Sequence, residues 1–179
     1  MAEYKVDFQA AIEDAFLNFA GHVILQRAIP DARDALKYGA RQGLYSQFYE
    51  GITHDKPYKK AQKSVAAGTS LCYVHGDVSL YDTLIRMGKP FAFRYPLQDI
   101  QGNFGNPIRS DNHAASRYVE MRQSELAGYL FEGLKKNAVE KWVLNYDDTE
   151  NIPSVLPSPF FYNIVNGATG IGVGMATSI

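Results

Sequence analysis

The sequence predicts an α+β fold, mainly helical, in which a helix-turn-helix is followed by a β wing. Three observations carry that prediction. Apolar residues recur at helical spacing in five separate segments. Two of these segments are short and separated by a brief turn, and the second is preceded by basic residues. Beyond Phe91 the pattern changes to an aromatic, turn-rich stretch reaching Val119, which reads as short strands and a loop.

The chain has 179 residues, of which 46% are hydrophobic and 21% charged, and its 10 Phe, 12 Tyr and one Trp supply ample core material. A disordered tail is excluded. No stretch approaches the roughly 18 uninterrupted apolar residues of a membrane span, and no cationic segment leads into an apolar run at the N-terminus. The expectation is a cytoplasmic protein with no membrane partner. The single cysteine, Cys72, excludes an internal disulfide and a thiolate metal cluster.

In order along the chain, Ile12, Phe16 and Phe19 define a helix within Asp7–Ala20, which Val23, Ile24, Leu25 and Ala28 carry on toward Pro30 with a break at Gly21. Leu36, Ala40, Leu44 and Phe48 repeat every four residues and give a second helix, ended by Gly51, with Lys37 and Arg41 on a neighbouring face. Ala61, Val65 and Ala66 give a short third helix closed by Gly68 and Thr69. Gly76 opens a fourth, with Leu80, Leu84 and Ile85 on its apolar face and Gly88 and Pro90 as its stop. The third and fourth form the helix-turn-helix. The Gln101–Pro107 loop sits in the middle of the wing. Leu126, Leu130 and Leu134 mark a fifth helix from about Gln123 to Lys136, and Trp142–Leu144 reads as a strand. Three prolines between Pro153 and Pro159 exclude helix there. The last stretch, Asn166–Ile179, holds four glycines and stops with neither a cap nor a polar tail, which reads as a piece of something longer.

Charge is unevenly placed. Between Arg27 and Lys63 eight basic residues face four acidic ones, so this stretch carries +4 within a chain of net charge −1. Such a segment suits a polyanion partner, and it equally suits a solvated helix face.

Several ordered segments are specific enough to name a family. They include Arg27-Ala-Ile-Pro-Asp-Ala-Arg-Asp-Ala-Leu-Lys37, Lys59-Lys60, His75-Gly-Asp77, Tyr81-Asp82, Gln101-Gly-Asn-Phe-Gly105, Arg117-Tyr118, Asn145-Tyr-Asp147, Val155-Leu-Pro157 and the run from Val165 to Thr177. Collinear in this order, they resemble the N-terminal breakage-reunion region of the A subunit of bacterial type IIA DNA topoisomerases, meaning gyrase and topoisomerase IV. The resemblance implies a winged-helix domain at 31–150 carrying the catalytic tyrosine, an N-terminal helical arm at 1–30, and the start of a tower domain at 151–179. It also implies that the chain is part of a DNA cleavage-religation enzyme that lets one duplex pass through another.

By that resemblance Tyr118 is the nucleophile, attacking a backbone phosphorus to leave a transient 5′-phosphotyrosyl ester. A phenol with an ordinary pKa of about 10 needs positive charge nearby to ionise and to stabilise the crowded phosphorane, and Arg117 is placed to supply it. In a regular strand the two side chains would face opposite ways, so a bend is required. Arg27 resembles an arginine that reaches the scissile phosphate from the opposite subunit. Lys37, Arg41, Lys59 and Lys60 resemble DNA-binding cations. His75 stands where a phosphate also meets the positive end of a helix. Ile171 resembles an isoleucine wedged between base pairs to bend the duplex. Each has a plainer reading: a helix-end cation for Arg27, a solvated face for Lys37 and Arg41, a structural histidine, and a core isoleucine.

Val78 and Asp82 occupy the positions where the family holds the water shell of a quinolone-bound Mg²⁺, with Val78 replacing a serine. Ser79 lies about 100° round the helix and does not substitute. Tyr73-Val74-His75 stands in place of His-Pro-His, only one arginine follows Lys37, and the Gly105–Arg117 loop is one residue longer than usual. The family's catalytic Mg²⁺ belongs to a Toprim domain and its ATP site to the B subunit. The chain has no such acidic cluster and no Walker motif, so both are expected from a partner in an A₂B₂ assembly with the nucleoid as its location. The Gly170-x-Gly172-x-Gly174 run lacks the helix and acid of a dinucleotide site, and Cys72 with His75 supplies only half of a zinc site. The competing reading from another class is a non-catalytic winged-helix DNA-binding module, and a weaker one is a structural fragment that only dimerises.

Overall fold

The computed structural model describes residues 7–179. Helix α1, Phe8–Val23, begins at Asp7, whose carboxylate accepts the Gln9 amide. It runs through Gly21 without the expected break, since an interior glycine weakens a helix by only about 1 kcal/mol. It then widens into a π-helical turn at Ile24–Ala28. The predicted apolar face exists, but Ile12, Phe16 and Phe19 are exposed and α1 buries only Ala20.

Helix α2, Tyr38–Tyr49, starts later than Leu36 suggested, with Lys37 as its N-cap residue. Every residue from Ala40 to Gln47 is buried, so α2 is the central post of the domain and has no solvated face along that stretch. Helices α3, Ala61–Leu71, and α4, Asp77–Met87, pack against it as the helix-turn-helix. α3 continues past Gly68 and Thr69 because Gly68 is a packing position. A Cβ there would come within 2.3 Å of Leu80 Cδ2, and one on Gly43 of α2 within 3.0 Å of Leu80 Cδ1. Leu80, fully buried, fills the notch these two glycines leave.

The wing is an antiparallel sheet of β1, Lys59–Lys60, β2, Gln98–Gln101, and β3, Glu120–Gln123, in the order β1-β3-β2. Buried amides weld it to α2. Gln47 and Gln98 exchange side-chain hydrogen bonds, Gln47 also donates to Ser64 Oγ, and Gln123 donates to the Leu44 carbonyl. Helix α5, Glu125–Lys135, opens at Ser124, whose hydroxyl accepts the Ala127 amide, and ends near the expected boundary. The Trp142–Leu144 strand, β4, pairs with β5, Asn151–Pro153. The glycine-rich end is ordered as a short helix α6, Tyr162–Asn166, and a hairpin of β6, Thr169–Ile171, with β7, Ala176–Ser178. No helix among the described residues is long and apolar enough to cross a membrane.

Candidate cleavage site and nucleic-acid interface

Arg117 and Tyr118 lie in a turn at the end of the long wing loop. The Tyr118 amide donates to the Ala115 carbonyl at 2.9 Å. The turn is pinned to the start of α3, where the Gln62 and Ala61 amides donate to the Ser116 and Val119 carbonyls at 3.2 and 2.9 Å. Gly102, at φ 110°, lets β2 turn away beside it, since a Cβ there would sit 3.5 Å from the Tyr118 carbonyl oxygen and the Val119 Cα. The opposed faces of a regular strand therefore do not apply. The Arg117 guanidinium lies 4.7 Å from the Tyr118 ring centroid, and the tyrosine is 65% exposed. A phenol and a cation share one open side of the loop.

The loop is also fastened to α4. His113 Nε2 lies 2.9 Å from Asp82 Oδ1, its ring meets the Tyr81 ring edge-on at 5.0 Å, and the Tyr81 hydroxyl donates to the Ala114 carbonyl at 2.6 Å. Nothing in the sequence around His113 marks it for this role. Its partner lies 31 positions away, a separation that no local pattern reports.

The basic stretch divides sharply. Five of its eight cations are paired: Arg33 with Asp31 and Glu140, Arg41 with Asp34, Lys56 with Asp55, Lys60 with Glu120 and Lys63 with Glu50. Arg27, Lys37 and Lys59 make no ion pair among the described residues. The expectation of Arg41 on an exposed face beside Lys37 is corrected. Arg41 is 6% exposed, and its guanidinium donates to Asp34 and to the Leu36 carbonyl. Asp34, fully buried, also accepts the Leu36 and Leu156 amides, each at 3.0 Å. Because α2 is enclosed, its second basic residue has to be neutralised internally.

Lys37 is half-buried. Burial first, and the charge of Arg86 second, pull its ammonium below the usual lysine range. Two neighbouring cations, neither of them in an ion pair among the described residues, favour an anion. Arg86 belongs to none of the family-like segments, although Val78, Asp82 and Arg86 repeat every four residues along α4, a spacing that puts them on one face. The β6–β7 hairpin packs against the π-helical turn beside this pair. A Cβ on Gly170 would lie 1.9 Å from the Ala28 carbonyl oxygen and 3.4 Å from Lys37 Nζ, and one on Gly172 would lie 3.1 Å from Ile24. The hairpin leaves Ile171 87% exposed, which corrects the core reading of that residue. Arg27 is exposed at the end of the π-helical turn.

His75 is exposed in the turn that leads to Gly76, the N-cap of α4, with its ring 5.4 Å from Tyr73. Tyr73 itself is buried against Gly39 and donates to Ser79 Oγ at 3.0 Å. Val78, Ser79, Asp82, Thr83 and Arg86 line a shallow groove along α4. No group of three or more His, Cys, Asp or Glu side chains among the described residues is arranged to hold a metal ion.

Residues 27–179 match the family of the DNA gyrase/topoisomerase IV A subunit. The chain is similar to the A subunit of DNA gyrase from Pseudomonas aeruginosa, 45% identical over 174 residues that make up 97% of this chain and 19% of that protein. It is 44% identical to the DNA gyrase A subunit of Metamycoplasma arthritidis over 173 residues, again 97% of this chain and 19% of the relative. For the DNA gyrase A subunit of Staphylococcus epidermidis the identity is 44% over 168 residues, 94% and 19%. The chain spans about a fifth of the length of these curated relatives.

Proposed function

The chain belongs to the family of DNA gyrase and topoisomerase IV A subunits, and from that premise we propose that it forms the strand-cleaving part of a type IIA DNA topoisomerase. The Tyr118 phenol loses its proton and attacks a backbone phosphorus. The new O–P bond forms as the bond to the 3′ oxygen breaks, leaving a 5′-phosphotyrosyl ester and a free 3′ hydroxyl. The energy of the phosphodiester is kept in the ester, so the 3′ hydroxyl reseals the strand without an external energy source once a second duplex has passed.

The observation that carries this reading is the Arg117 guanidinium over an exposed Tyr118 in a pinned turn. It puts positive charge over the ring of the phenol that becomes the ester, within a side chain's reach of the phosphorane that forms there. Lys37, Arg86 and the exposed Arg27 and Lys59 offer phosphate ligands, and His75 with the N-terminus of α4 adds a donor and a helix dipole. Ile171, exposed at the end of β6, is the wedge that bends the duplex. Catalytic Mg²⁺ and ATP hydrolysis belong to a B-type partner carrying Toprim and ATPase domains, with two copies of each protein in the working assembly.

The test is covalent capture. With the intact subunit, its B-type partner, Mg²⁺ and duplex DNA, denaturation should trap protein on 5′ ends, and Tyr118→Phe should abolish the adduct because the ester oxygen is gone. Salt-dependent DNA binding with no adduct from either protein would instead establish the non-catalytic winged-helix module.

A further inference from the structure

We propose that His113 is a positioning residue for the strand-cleaving tyrosine, acting through Asp82. The inference rests on the assignment of Tyr118 as nucleophile and adds what holds it. The wing loop between β2 and β3 is long, and its tip is solvated, with Ile108 92% exposed and Ser110 in the left-handed region at φ 54°. Few contacts restrain it. The Ala114 amide donates to the Asn103 carbonyl at 2.9 Å, and Asn106 and Asp111 form a single isolated bridge. Phe104 and Ala114 pack against the core, and among the described residues the loop's hydrogen bonds to the helix-turn-helix lie at two points. One is the pair of backbone bonds from the start of α3 to Ser116 and Val119, which bracket Arg117 and Tyr118. The other is the cluster on α4, in which His113 meets Asp82 and Tyr81, and Tyr81 holds the Ala114 carbonyl.

These two anchors flank the Arg117-Tyr118 turn from different helices. Fixing both ends of this short lead removes the loop motions that would swing the phenol away from a phosphorus held on α4. The His113 ring is held at both nitrogens, Nε2 against Asp82 Oδ1 at 2.9 Å and Nδ1 against the Ala114 carbonyl oxygen at 3.3 Å, and the edge-on contact with Tyr81 fixes its plane. The pair also occupies Asp82, the acidic side chain in the α4 groove, so that this carboxylate is held by the loop. Lys89, whose Nζ would lie 3.5 Å from a Cβ on Gly105, and Asp111, paired with Arg109 at 3.5 Å, are further charged groups next to this part of the loop.

The intact subunit is assayed with its B-type partner, Mg²⁺ and duplex DNA. His113→Ala is expected to slow adduct formation about tenfold at saturating DNA while leaving DNA affinity unchanged, and to speed amide exchange across residues 113–118. Asp82→Ala gives the same loss, and the double variant gives no further loss. His113→Gln, whose amide reaches the carboxylate as a donor, recovers most of the rate. An adduct rate in His113→Ala equal to that of the parent overturns the inference. So does a loss of affinity as large as the loss of rate, or a failure of His113→Gln to rescue. Tyr118→Phe serves as the control: an adduct in that variant removes the nucleophile assignment, and amide exchange in His113→Ala then decides by itself whether the pair holds the loop.

Discussion

Lys37 and Arg41 stand one helical turn apart with the same charge, yet they belong to two regions built in opposite ways. Around Arg41 the chain supplies a buried carboxylate, and Asp34 is in turn saturated by two backbone amides. Along the basic rim of Lys37 and Arg86 no ion pair forms among the described residues. One region uses its charge to hold Asp31–Leu36, α2 and Leu156 together. The other leaves it available to a polyanion. Counting cations in the sequence gives both regions equal weight, and only burial tells them apart.

The sharpest way to break this contrast is to remove Asp34. Asp34→Ala leaves a buried guanidinium without its counter-ion and two amides without an acceptor, and should destabilise the fold by about 3–5 kcal/mol in urea unfolding. A cost under about 1 kcal/mol would mean that water reaches Arg41 and that the two regions do not differ. The rim responds in the other observable. Lys37→Ala combined with Arg86→Ala should stay within about 0.5 kcal/mol of the parent in stability. Its DNA affinity should fall, and the slope of log affinity against log salt should shrink by about 1.8, the share of two phosphate contacts. An unchanged slope would place the duplex elsewhere.

A third variant probes the groove next to the rim. Val78 is 66% exposed there, and the neighbouring Ser79 hydroxyl accepts the Tyr73 hydroxyl. The family resemblance makes Val78 a lost partner for a drug-bound metal water, so quinolone-stabilised cleavage should need a higher dose in this protein than in Val78→Ser. The expected gain is about five- to thirtyfold, equivalent to about 1–2 kcal/mol for one hydrogen bond. Equal dose-response curves would show that the serine position does not govern the drug. The smallest effect belongs to the scaffold. Ala35 holds φ 63° in the turn before α2, where glycine is unstrained. Ala35→Gly should therefore raise stability by about 1 kcal/mol, read as a higher urea midpoint at unchanged slope.

What could be read from the sequence follows from how local each signal is. α4 and α5 show apolar spacing bounded by Gly76 and Gly88, and by Ser124, so their limits emerge from neighbours in the chain. α1 is legible as a helix, but its exposed face is not, because periodicity reports an apolar stripe and not whether anything covers it. The β6–β7 hairpin escapes the same reading since its glycines are chosen for tight passage past Ala28, a contact made across almost the whole chain. At the candidate site, Tyr118 and Arg117 are recognisable by motif, and their shared side comes only with the turn. Arg41 looks like a surface cation because its acceptor, Asp34, sits outside the helix that carries it. His113 has no local signal at all.

The fit of Gly170 against the Ala28 carbonyl has a meaning for how such a protein can diverge. Any single-nucleotide change that alters the amino acid in a glycine codon brings in at least a Cβ, and the clearance there admits none. Gly170 therefore has no viable one-step neighbour while the π-helical turn keeps its course. A lineage can change this position only by moving both segments together, so the arm and the hairpin, remote in the gene, are inherited as a unit.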